Sequence, residues 1–314
     1  MRAAVVERYG PPEVVTVREV AAPEVGKGQV LVRVRAAAVT SADARIRGAR
    51  FPRGFAPMAR LAFGVRRPRR AVLGAVLSGV VEQVGPGVVD LAVGDEVCGT
   101  TGMRFGAHAE LAAVRADRLV RTPAGVSHEE AAGLLFGALT ALHFLRDRVR
   151  PGDRVLVNGA SGAIGTSAVQ LARLAGGVVT AVCSAANAQL VRDLGAESVV
   201  DHTTTRLADL PETYDVVLDA VGTIDVAGGR ALLAPGGVLL LAVADLAGTL
   251  RAQTRRDVVA GPAPERAADV THLLDLVASG DLRVVVRALP LDDVVEAHRV
   301  VDSGRKVGNL VVTP

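Results

Sequence analysis

The most restrictive feature of the sequence is a β-branched run followed directly by a glycine-rich loop and a helical segment. Val155, Leu156 and Val157 form the run, and residues 158–165, the phosphate loop, read Asn-Gly-Ala-Ser-Gly-Ala-Ile-Gly. The spacing Ala-x-Gly-x-x-Gly nearly matches the fingerprint of a dinucleotide-binding turn. Glycines let a pyrophosphate approach the backbone, and the helix N-terminus supplies free N–H groups. The feature predicts a strand–turn–helix unit that binds a dinucleotide.

The rest of the sequence shows two kinds of pattern, which together predict an α/β protein. Across residues 122–286, apolar strands alternate with helices of ten or more residues, which indicates a parallel sheet with crossover helices. Residues 1–121 show short β segments between glycine and proline turns, which indicates an all-β, barrel-like region. The tail, residues 287–314, returns to short strands and should rejoin the first region. A capping box from Ser127 to Glu130 should begin a long apolar helix.

Charge and aromatic content narrow the classes of function. The net charge is only +3, from 36 basic and 33 acidic residues, yet nine arginines fall between Arg45 and Arg70. No acidic residue lies between Asp43 and Glu82, and such a field can attract an anionic ligand or partner. Aromatic residues make up 3% of the chain and there is no Trp, which argues against a nucleic-acid reader built on stacked bases.

Cysteine usage and hydropathy predict a cytoplasmic protein that does not enter a membrane. Cys98 and Cys183 stand far apart in apolar runs and form no disulfide framework or metal-binding pattern. The N-terminus lacks the long apolar region of a signal peptide. The most apolar window, residues 131–145, is too short to span a bilayer.

The end of the second strand after the phosphate loop bears on which dinucleotide is bound. An NAD site usually has an acidic residue there, about 20 residues after the glycines, to hold the ribose 2′-hydroxyl. Here the strand over residues 179–183 ends at Ser184, and no acid follows before Asn187. We therefore predict NADPH, with Ser184 and Asn187 beside the 2′-phosphate. The usual neighbouring cation is missing; Lys306 or Arg305 of the tail could replace it, or could equally be a solvated surface residue.

With these features the sequence resembles the medium-chain dehydrogenase/reductase superfamily, in its zinc-independent quinone oxidoreductase (zeta-crystallin-like) branch. The matching stretches follow the family's order along nearly the whole chain: residues 38–43, 78–85, 93–97, 105–110, 130–141, the phosphate loop, 194–196, 219–222 and 304–309. The resemblance implies a GroES-like β-barrel catalytic domain, residues 1–121 completed by 287–314. It also implies a Rossmann domain with a doubly wound parallel sheet, residues 122–286, and a site in the cleft between the two.

The resemblance further implies where the cofactor lies. Thr140 would contact the nicotinamide amide, Asn309 would lie near the nicotinamide, and Gly222 would line the cofactor. Thr140 could instead be a helix residue whose hydroxyl is satisfied by its own backbone, and Gly222 could be a simple turn. The predicted cofactor-binding residues are Thr140, Gly159, Ala160, Gly162, Ala163, Ile164, Gly165, Ser184, Asn187, Gly222, Lys306 and Asn309.

No metal site is predicted. Zinc alcohol dehydrogenases of the superfamily have a Cys at the position of Thr40 and a His at the position of Ala75, and neither Thr nor Ala can ligate zinc in that way. None of the six histidines is spaced as a ligand with a Cys or another His. Without a Lewis acid, alcohol oxidation lacks its activator. Reduction of an enone or quinone asks less, because the charge that develops spreads over an enolate that hydrogen-bond donors can hold.

The predicted activity is NADPH-dependent reduction of a quinone or an α,β-unsaturated carbonyl compound, without zinc. Thr40 and Ser41 are the candidate catalytic residues, as hydroxyls near the substrate, although both could be turn hydroxyls. Asp43 is expected to order that loop. Two alternatives stay open. One is a zinc-free ketone or alcohol oxidoreductase, and the other is a cofactor-gated protein that binds RNA or an acidic partner.

The arginine-rich segment, residues 45–70, bears on the substrate and the partners. Its arginines are interspersed with apolar residues, Phe51, Phe55, Met58, Leu61 and Phe63. An apolar surface ringed by guanidinium groups would suit an anionic, aromatic or polyketide-like substrate. A solvated lid or a contact between subunits are the alternatives. We expect a small-molecule substrate, no nucleic acid and no membrane as partners, and a homodimer like that of relatives that pair through the edge of the Rossmann sheet.

Overall fold

The computed structural model describes all 314 residues. The first part of the chain is mostly β-structure, and two helices lie between its third and fourth strands. The elements are β1 Arg2–Val6, β2 Val15–Glu19, β3 Gln29–Ala38, α1 Ser41–Gly48, α2 Ala56–Phe63, β4 Val76–Val84, β5 Glu96–Thr100, β6 Leu111–Arg115 and β7 Leu119–Arg121.

The second part alternates helices and strands, as the periodicity predicts, and the tail adds two strands and a helix. The elements are α3 His128–Leu145, β8 Arg154–Asn158, α4 Ala163–Leu174, β9 Val178–Cys183, α5 Ala188–Asp193, β10 Ser198–Asp201, β11 Tyr214–Asp219, α6 Val226–Ala231, β12 Leu233–Leu241, α7 Leu246–Gln253, β13 Val258–Ala260, α8 Ala267–Ala278, β14 Val286–Pro290, α9 Val294–Asp302 and β15 Asn309–Thr313.

Two main sheets form from these strands. The six strands of the second part are all parallel, in the order β10-β9-β8-β11-β12-β13, the arrangement of a doubly wound Rossmann sheet. The other sheet has seven strands, in the order β14-β15-β3-β4-β5-β7, with β6 paired to β3. In it β15 runs antiparallel to β3, with Val311 opposite Ala38, so the tail strands join the sheet of the first part. The domain limits at 121/122 and 286/287 stay a prediction with which this pairing is consistent.

Helix α3 joins the two parts of the molecule. It packs against β3, β4 and β15 on one side and against α4 and α8 on the other. This double contact explains why the helix is apolar nearly all round, since a helix covered on several faces has no polar stripe. The predicted capping box is confirmed: the Ser127 hydroxyl accepts from the Glu130 N–H at 3.2 Å, and the Glu130 carboxylate accepts from the Ser127 N–H at 3.0 Å. No helix has both the length and the apolar content needed to cross a bilayer.

Candidate functional site

The phosphate loop leaves β8 at the point where the strand order of the parallel sheet reverses. Beyond β8 on one side lie β9 and β10, and on the other side β11 to β13, so a crevice opens at the carboxyl ends of β8 and β11. Helix α4 follows at once, with Gly162 as its N-cap and no side chain capping it. The first turn of a helix leaves backbone N–H groups without acceptors in the helix. These groups and the positive end of the helix dipole are therefore available to an anion.

Two glycines of the loop are required for different reasons. A Cβ on Gly165 would lie 2.1 Å from the Gly159 carbonyl oxygen, so this glycine lets α4 pack closely on the start of the loop. Gly162 has an ordinary φ of −82°, and its Cβ would meet only the same oxygen, at 3.4 Å. Neither conformation nor packing requires a glycine at 162. Space for the backbone to approach a pyrophosphate does require one, and the loop therefore fits a dinucleotide.

The tail of the chain lies directly on the phosphate loop. Gly308 forms a β-bridge with Gly162 and donates its N–H to the Ser161 carbonyl at 2.8 Å. Lys306, two residues earlier, is half-buried, and its Nζ donates to the Gly308 carbonyl at 2.5 Å. It forms no ion pair, and burial lowers the pKa of Lys306 to about 8. The structure thus brings Lys306 beside the loop, whereas Arg305 is exposed.

The predicted 2′-phosphate residues lie at the carboxyl end of β9. The Asn187 amide donates to the Ser161 hydroxyl at 3.1 Å and to the Ser184 hydroxyl at 3.3 Å, which ties these residues to the phosphate loop. Asp201, which was not among the predicted residues, ends β10 opposite Cys183. The N–H and hydroxyl of Thr203 hold the pKa of Asp201 below its usual range. A search along one strand cannot find an acid that a neighbouring parallel strand supplies.

Asp219 is a second acid at the end of a parallel strand, and it was not among the predicted site residues. It ends β11, is fully buried, and accepts from the N–H groups of Val221, Gly222 and Ile224 at 2.9 to 3.1 Å. It also accepts from the Asn158 amide at 2.9 Å, across the crevice from β8. Gly222 has a φ of +90°, which suits glycine. Asp219 therefore fixes the loop predicted to line the cofactor. Residues 219–222 are one of the segments that resemble the family, and this resemblance could have indicated Asp219.

Thr140 and Asn309 both bond to backbone carbonyls. The Thr140 hydroxyl donates to Phe136 O at 2.8 Å, so the backbone of its own helix satisfies it, which is the alternative that the sequence left open. Its lone pairs can still accept from an amide. Asn309 is 5% exposed, and its amide donates to Val285 O at 3.2 Å. The contacts of both residues with nicotinamide stay predictions.

The candidate catalytic hydroxyls differ in their environments. Thr40 caps α1: its Oγ1 donates to Asp43 Oδ2 at 2.6 Å and accepts from the Asp43 N–H at 3.3 Å. This bonding uses its proton. Ser41 is half-buried and makes no hydrogen bond through its hydroxyl within the protein. Asp43 also accepts from Gly74 N–H at 3.0 Å, so it orders this loop as expected. Of the two predicted residues, only Ser41 keeps a free proton to donate.

Comparison with known proteins agrees with this architecture. A family model described as "Alcohol dehydrogenase GroES-like domain" matches residues 26–124, and one described as "Zinc-binding dehydrogenase" matches residues 194–312. The 2-methylene-furan-3-one reductase of Solanum lycopersicum is 30% identical over 98% of this chain and 77% of its own length. The chain belongs to the medium-chain dehydrogenase/reductase superfamily. The predicted fold class, a GroES-like domain with a Rossmann domain, is confirmed.

Two further relatives place the chain in the quinone oxidoreductase branch of the superfamily. The structure of the quinone oxidoreductase from Coxiella burnetii superimposes with a TM-score of 0.90 at 27% identity, covering 100% of this chain and 99% of the other. The chloroplastic NADPH-dependent alkenal/one oxidoreductase of Arabidopsis thaliana is 34% identical over 76% of this chain. This chain spans 63% of the length of that Arabidopsis protein.

The superfamily's zinc position has no ligand set in this chain. Thr40 is engaged in its helix cap, Ala75 has no side-chain donor atom, and no three His, Cys, Asp or Glu side chains are placed so that they could hold a metal ion. The fold does bring His108 and His298 together, with ring centroids 6.2 Å apart, which their sequence spacing does not indicate. His108 bonds to Ala38 O at 2.9 Å, and both histidines are buried.

Only some of the arginines of residues 45–70 are free of partners within the protein, so the predicted ring of guanidinium groups around an apolar surface is incomplete. Arg47 is fully buried, where it donates to Gly10 O and, at 2.5 Å, to Asp302. Arg50 pairs with the same carboxylate at 2.6 Å. Arg60 donates to Val65 O and lies 5.5 Å from the Tyr9 ring centroid. The arginines without a side-chain partner that remain exposed are Arg53, Arg66, Arg67, Arg69 and Arg70.

Proposed function

We propose that the chain is an NADPH-dependent reductase that transfers hydride to a quinone or an α,β-unsaturated carbonyl compound without zinc. The observation that carries the proposal is the glycine loop at the reversal point of the sheet, covered by a tail that presents the half-buried cation of Lys306. The relatives named as an alkenal/one oxidoreductase, a furanone reductase and a quinone oxidoreductase support the same reaction class.

Different residues of the chain bind different parts of the cofactor. The N–H groups at the start of α4 hold its pyrophosphate, because the positive end of the helix dipole lies there. Ser184 and Asn187 hold the 2′-phosphate, and the Lys306 ammonium supplies the neighbouring positive charge. Thr140, Gly222 and Asn309 contact the nicotinamide end. When bound, NADPH supplies the hydride.

On the substrate side, positioning contributes most of the rate enhancement. A hydride acceptor held close to the donor gains the entropic advantage of an intramolecular reaction, which needs no acid–base residue. The Ser41 hydroxyl donates a hydrogen bond to the enolate oxygen as negative charge develops there. Thr40 supports this arrangement through its cap with Asp43. Ser41→Ala should therefore lower kcat more than it alters the NADPH Kd.

We further propose that the substrate carries a negative charge. The exposed arginines of residues 53–70 give this segment an excess of positive charge, which favours an anionic or polyketide-like enone. An acid substrate and its methyl ester give the direct test. A lower KM for the acid, lost at high salt, is expected, and equal KM values for acid and ester would contradict this part.

We also propose that the protein is a homodimer in the cytoplasm. Strand β13 is the edge of the parallel sheet, with only three residues, and a second copy could extend the sheet there. Light scattering should give twice the monomer mass. Both cysteines are buried and free, as suits a reducing compartment.

The deciding experiment is oxidation of NADPH and NADH with a panel of quinones, enones and saturated ketones, with and without a chelator. Chelator-insensitive oxidation of NADPH with a quinone or enone is the expected result. Activity confined to saturated ketones would select a ketone reductase instead. Cofactor binding without turnover, combined with steeply salt-dependent RNA binding, would favour a cofactor-gated binding protein.

A further inference from the structure

A short ordered loop between α2 and β4 presents several arginines together. We call residues 64–71 the arginine loop; it carries Arg66, Arg67, Arg69 and Arg70. Its backbone closes on itself, because Arg69 N donates to Phe63 O at 2.7 Å and a Cβ on Gly64 would lie 1.9 Å from Arg67 O. Gly64 has a φ of +128°, which favours glycine. The loop is therefore a fixed turn and not an extended linker.

Neighbouring elements hold this turn in place. The Tyr9 hydroxyl donates to Gly64 O at 2.5 Å, and Arg60 donates to Val65 O at 2.9 Å. Val6 N donates to Ala71 O at 2.7 Å, which ties the end of the loop to β1. Within the loop, Pro68 is buried. The arginines on either side of it thus start from a rigid base, and less entropy is lost when they bind a ligand.

The arginines of the loop border a hollow and have no acidic partners. The hollow has a volume of about 670 Å³, and Arg66, Arg67 and Arg69 line it. The only acid in its lining is Glu7, which already pairs with Arg18 at 2.6 Å. None of the loop's guanidinium groups makes an ion pair or a hydrogen bond within the protein. The hollow therefore holds an excess of positive charge that no group of the chain neutralises.

We propose that the arginine loop binds a phosphate-bearing ligand with two or more negative charges, such as a diphosphate ester. Guanidinium groups match phosphate oxygens in pairs of parallel hydrogen bonds, and several of them at one hollow favour a polyvalent anion over a single carboxylate. The phosphate belongs either to the tail of the enone substrate or to a free polyphosphate. The first source rests on the proposed function, whereas binding itself does not.

The binding test uses protein saturated with NADPH, so that the cofactor's own phosphate sites are filled. Tripolyphosphate is titrated by calorimetry into the wild type and into the double variant Arg66→Gln/Arg67→Gln. The matched control is Arg255→Gln/Arg256→Gln, which removes two adjacent exposed arginines from the turn before β13. We expect saturable binding that is about tenfold weaker in the arginine-loop variant and unchanged in the control.

Two results of this titration would overturn the proposal. One is the absence of saturable binding to a protein that binds NADPH normally; failure to bind NADPH would instead count against the proposed function. The other is an equal loss of affinity in the control variant, since a diffuse field and not a site would then hold the anion. Tighter binding of a uridine oligomer than of tripolyphosphate would also overturn it, in favour of RNA.

Kinetics then distinguishes the two sources of the phosphate. The same enone is offered as its coenzyme A thioester and as its N-acetylcysteamine thioester, which lacks phosphate. A KM that rises in the arginine-loop variant only for the coenzyme A thioester supports a substrate tail. A rate with the truncated thioester that responds to tripolyphosphate in the wild type, and not in the variant, supports a free ligand. No difference in either comparison would contradict a role of the loop in the reaction.

Discussion

At the scale of single residues, the phosphate loop separates what the fold needs from what a ligand needs. A side chain at Gly165 would press on the backbone of Gly159, whereas a side chain at Gly162 would meet little protein. Both positions belong to the same fingerprint, and the sequence alone treats them alike. Their consequences should nevertheless differ, because one glycine serves packing and the other serves the approach of a pyrophosphate.

Gly165→Ala should destabilise the protein, and Gly162→Ala should weaken the binding of the cofactor. We expect Gly165→Ala to cost roughly 1–3 kcal/mol of the free energy of unfolding, the usual cost of overpacking. Gly162→Ala should leave the urea midpoint unchanged and raise the NADPH Kd at least about tenfold. Urea unfolding and fluorescence titration with NADPH measure the two effects. Equal effects of both variants on both quantities would show that this division is wrong.

Lys306 gives cofactor binding a pH dependence. Burial lowers the pKa of its ammonium to about 8, so the free protein loses this charge as pH rises through that value. Bound phosphate favours the charged form, and affinity should therefore fall above pH 8. We expect the NADPH Kd to rise several-fold from pH 7 to pH 9 in the wild type. In Lys306→Gln the NADPH Kd should be higher at pH 7 and should change little with pH. The same pH dependence in both proteins would show that Lys306 is not its source.

At the scale of elements, helix α9 buries a histidine without satisfying it. His298 is fully buried, and neither ring nitrogen has a hydrogen-bond partner. Burial, and then the neighbouring His108 and Arg47, hold the pKa of His298 well below its usual value. The folded protein therefore keeps this ring neutral where an unfolded chain would protonate it, near pH 6.5 and below.

The stability of the protein should fall in acid because of this helix. Below about pH 6.5 the unfolded state binds a proton at His298 that the folded state refuses, so the free energy of unfolding decreases as pH falls. His298→Leu should flatten this part of the pH profile and remove a buried polar group without a partner. Urea midpoints at pH 5, 6 and 8 measure the effect. His272→Leu, at a solvent-exposed position on α8, is the control and should keep the wild-type slope.

The elements themselves were largely predictable, whereas contacts between distant elements were not. The strand β8, the phosphate loop, α4 and the Ser127 cap follow from local periodicity and capping chemistry. Asp201 reaches the end of β9 only because a neighbouring strand places it there. Arg47 is one of nine arginines clustered between Arg45 and Arg70, yet the fold buries it against Asp302, which lies 255 residues further along the chain. Sequence spacing carries no information about such approaches.

At the scale of the whole molecule, the two domains are joined at separate places. The tail bonds to the phosphate loop through Gly308 and Ser161, and Leu246 N of α7 donates to Arg53 O at 3.0 Å. The Thr100 hydroxyl at the end of β5 donates to Glu265 at 2.6 Å. Helix α3 packs on the barrel sheet and on the Rossmann helices α4 and α8. A ligand of the phosphate loop therefore touches a region to which both domains contribute.

NADPH should stabilise the two domains together. We expect one thermal transition, and a rise in Tm when NADPH is added, corresponding to about 2.7 kcal/mol at one hundred times its Kd. Calorimetric scans with and without NADPH measure the shift, and NADH serves as the weaker-binding comparison. A scan with two transitions, of which only one moves with NADPH, would show that the cofactor stabilises the Rossmann domain alone.

The bridge between Gly162 and Gly308 has a consequence for redesign. Attempts to change the cofactor preference of such a fold naturally begin at the strand that meets the adenosine ribose. In this chain the cation beside the loop, Lys306, comes from the tail, whose strand β15 lies between β14 and β3 in the barrel sheet. A library confined to residues 304–309 could therefore retune cofactor choice while the Rossmann core stays untouched, and exchanging the tail between homologues would transplant that preference with it.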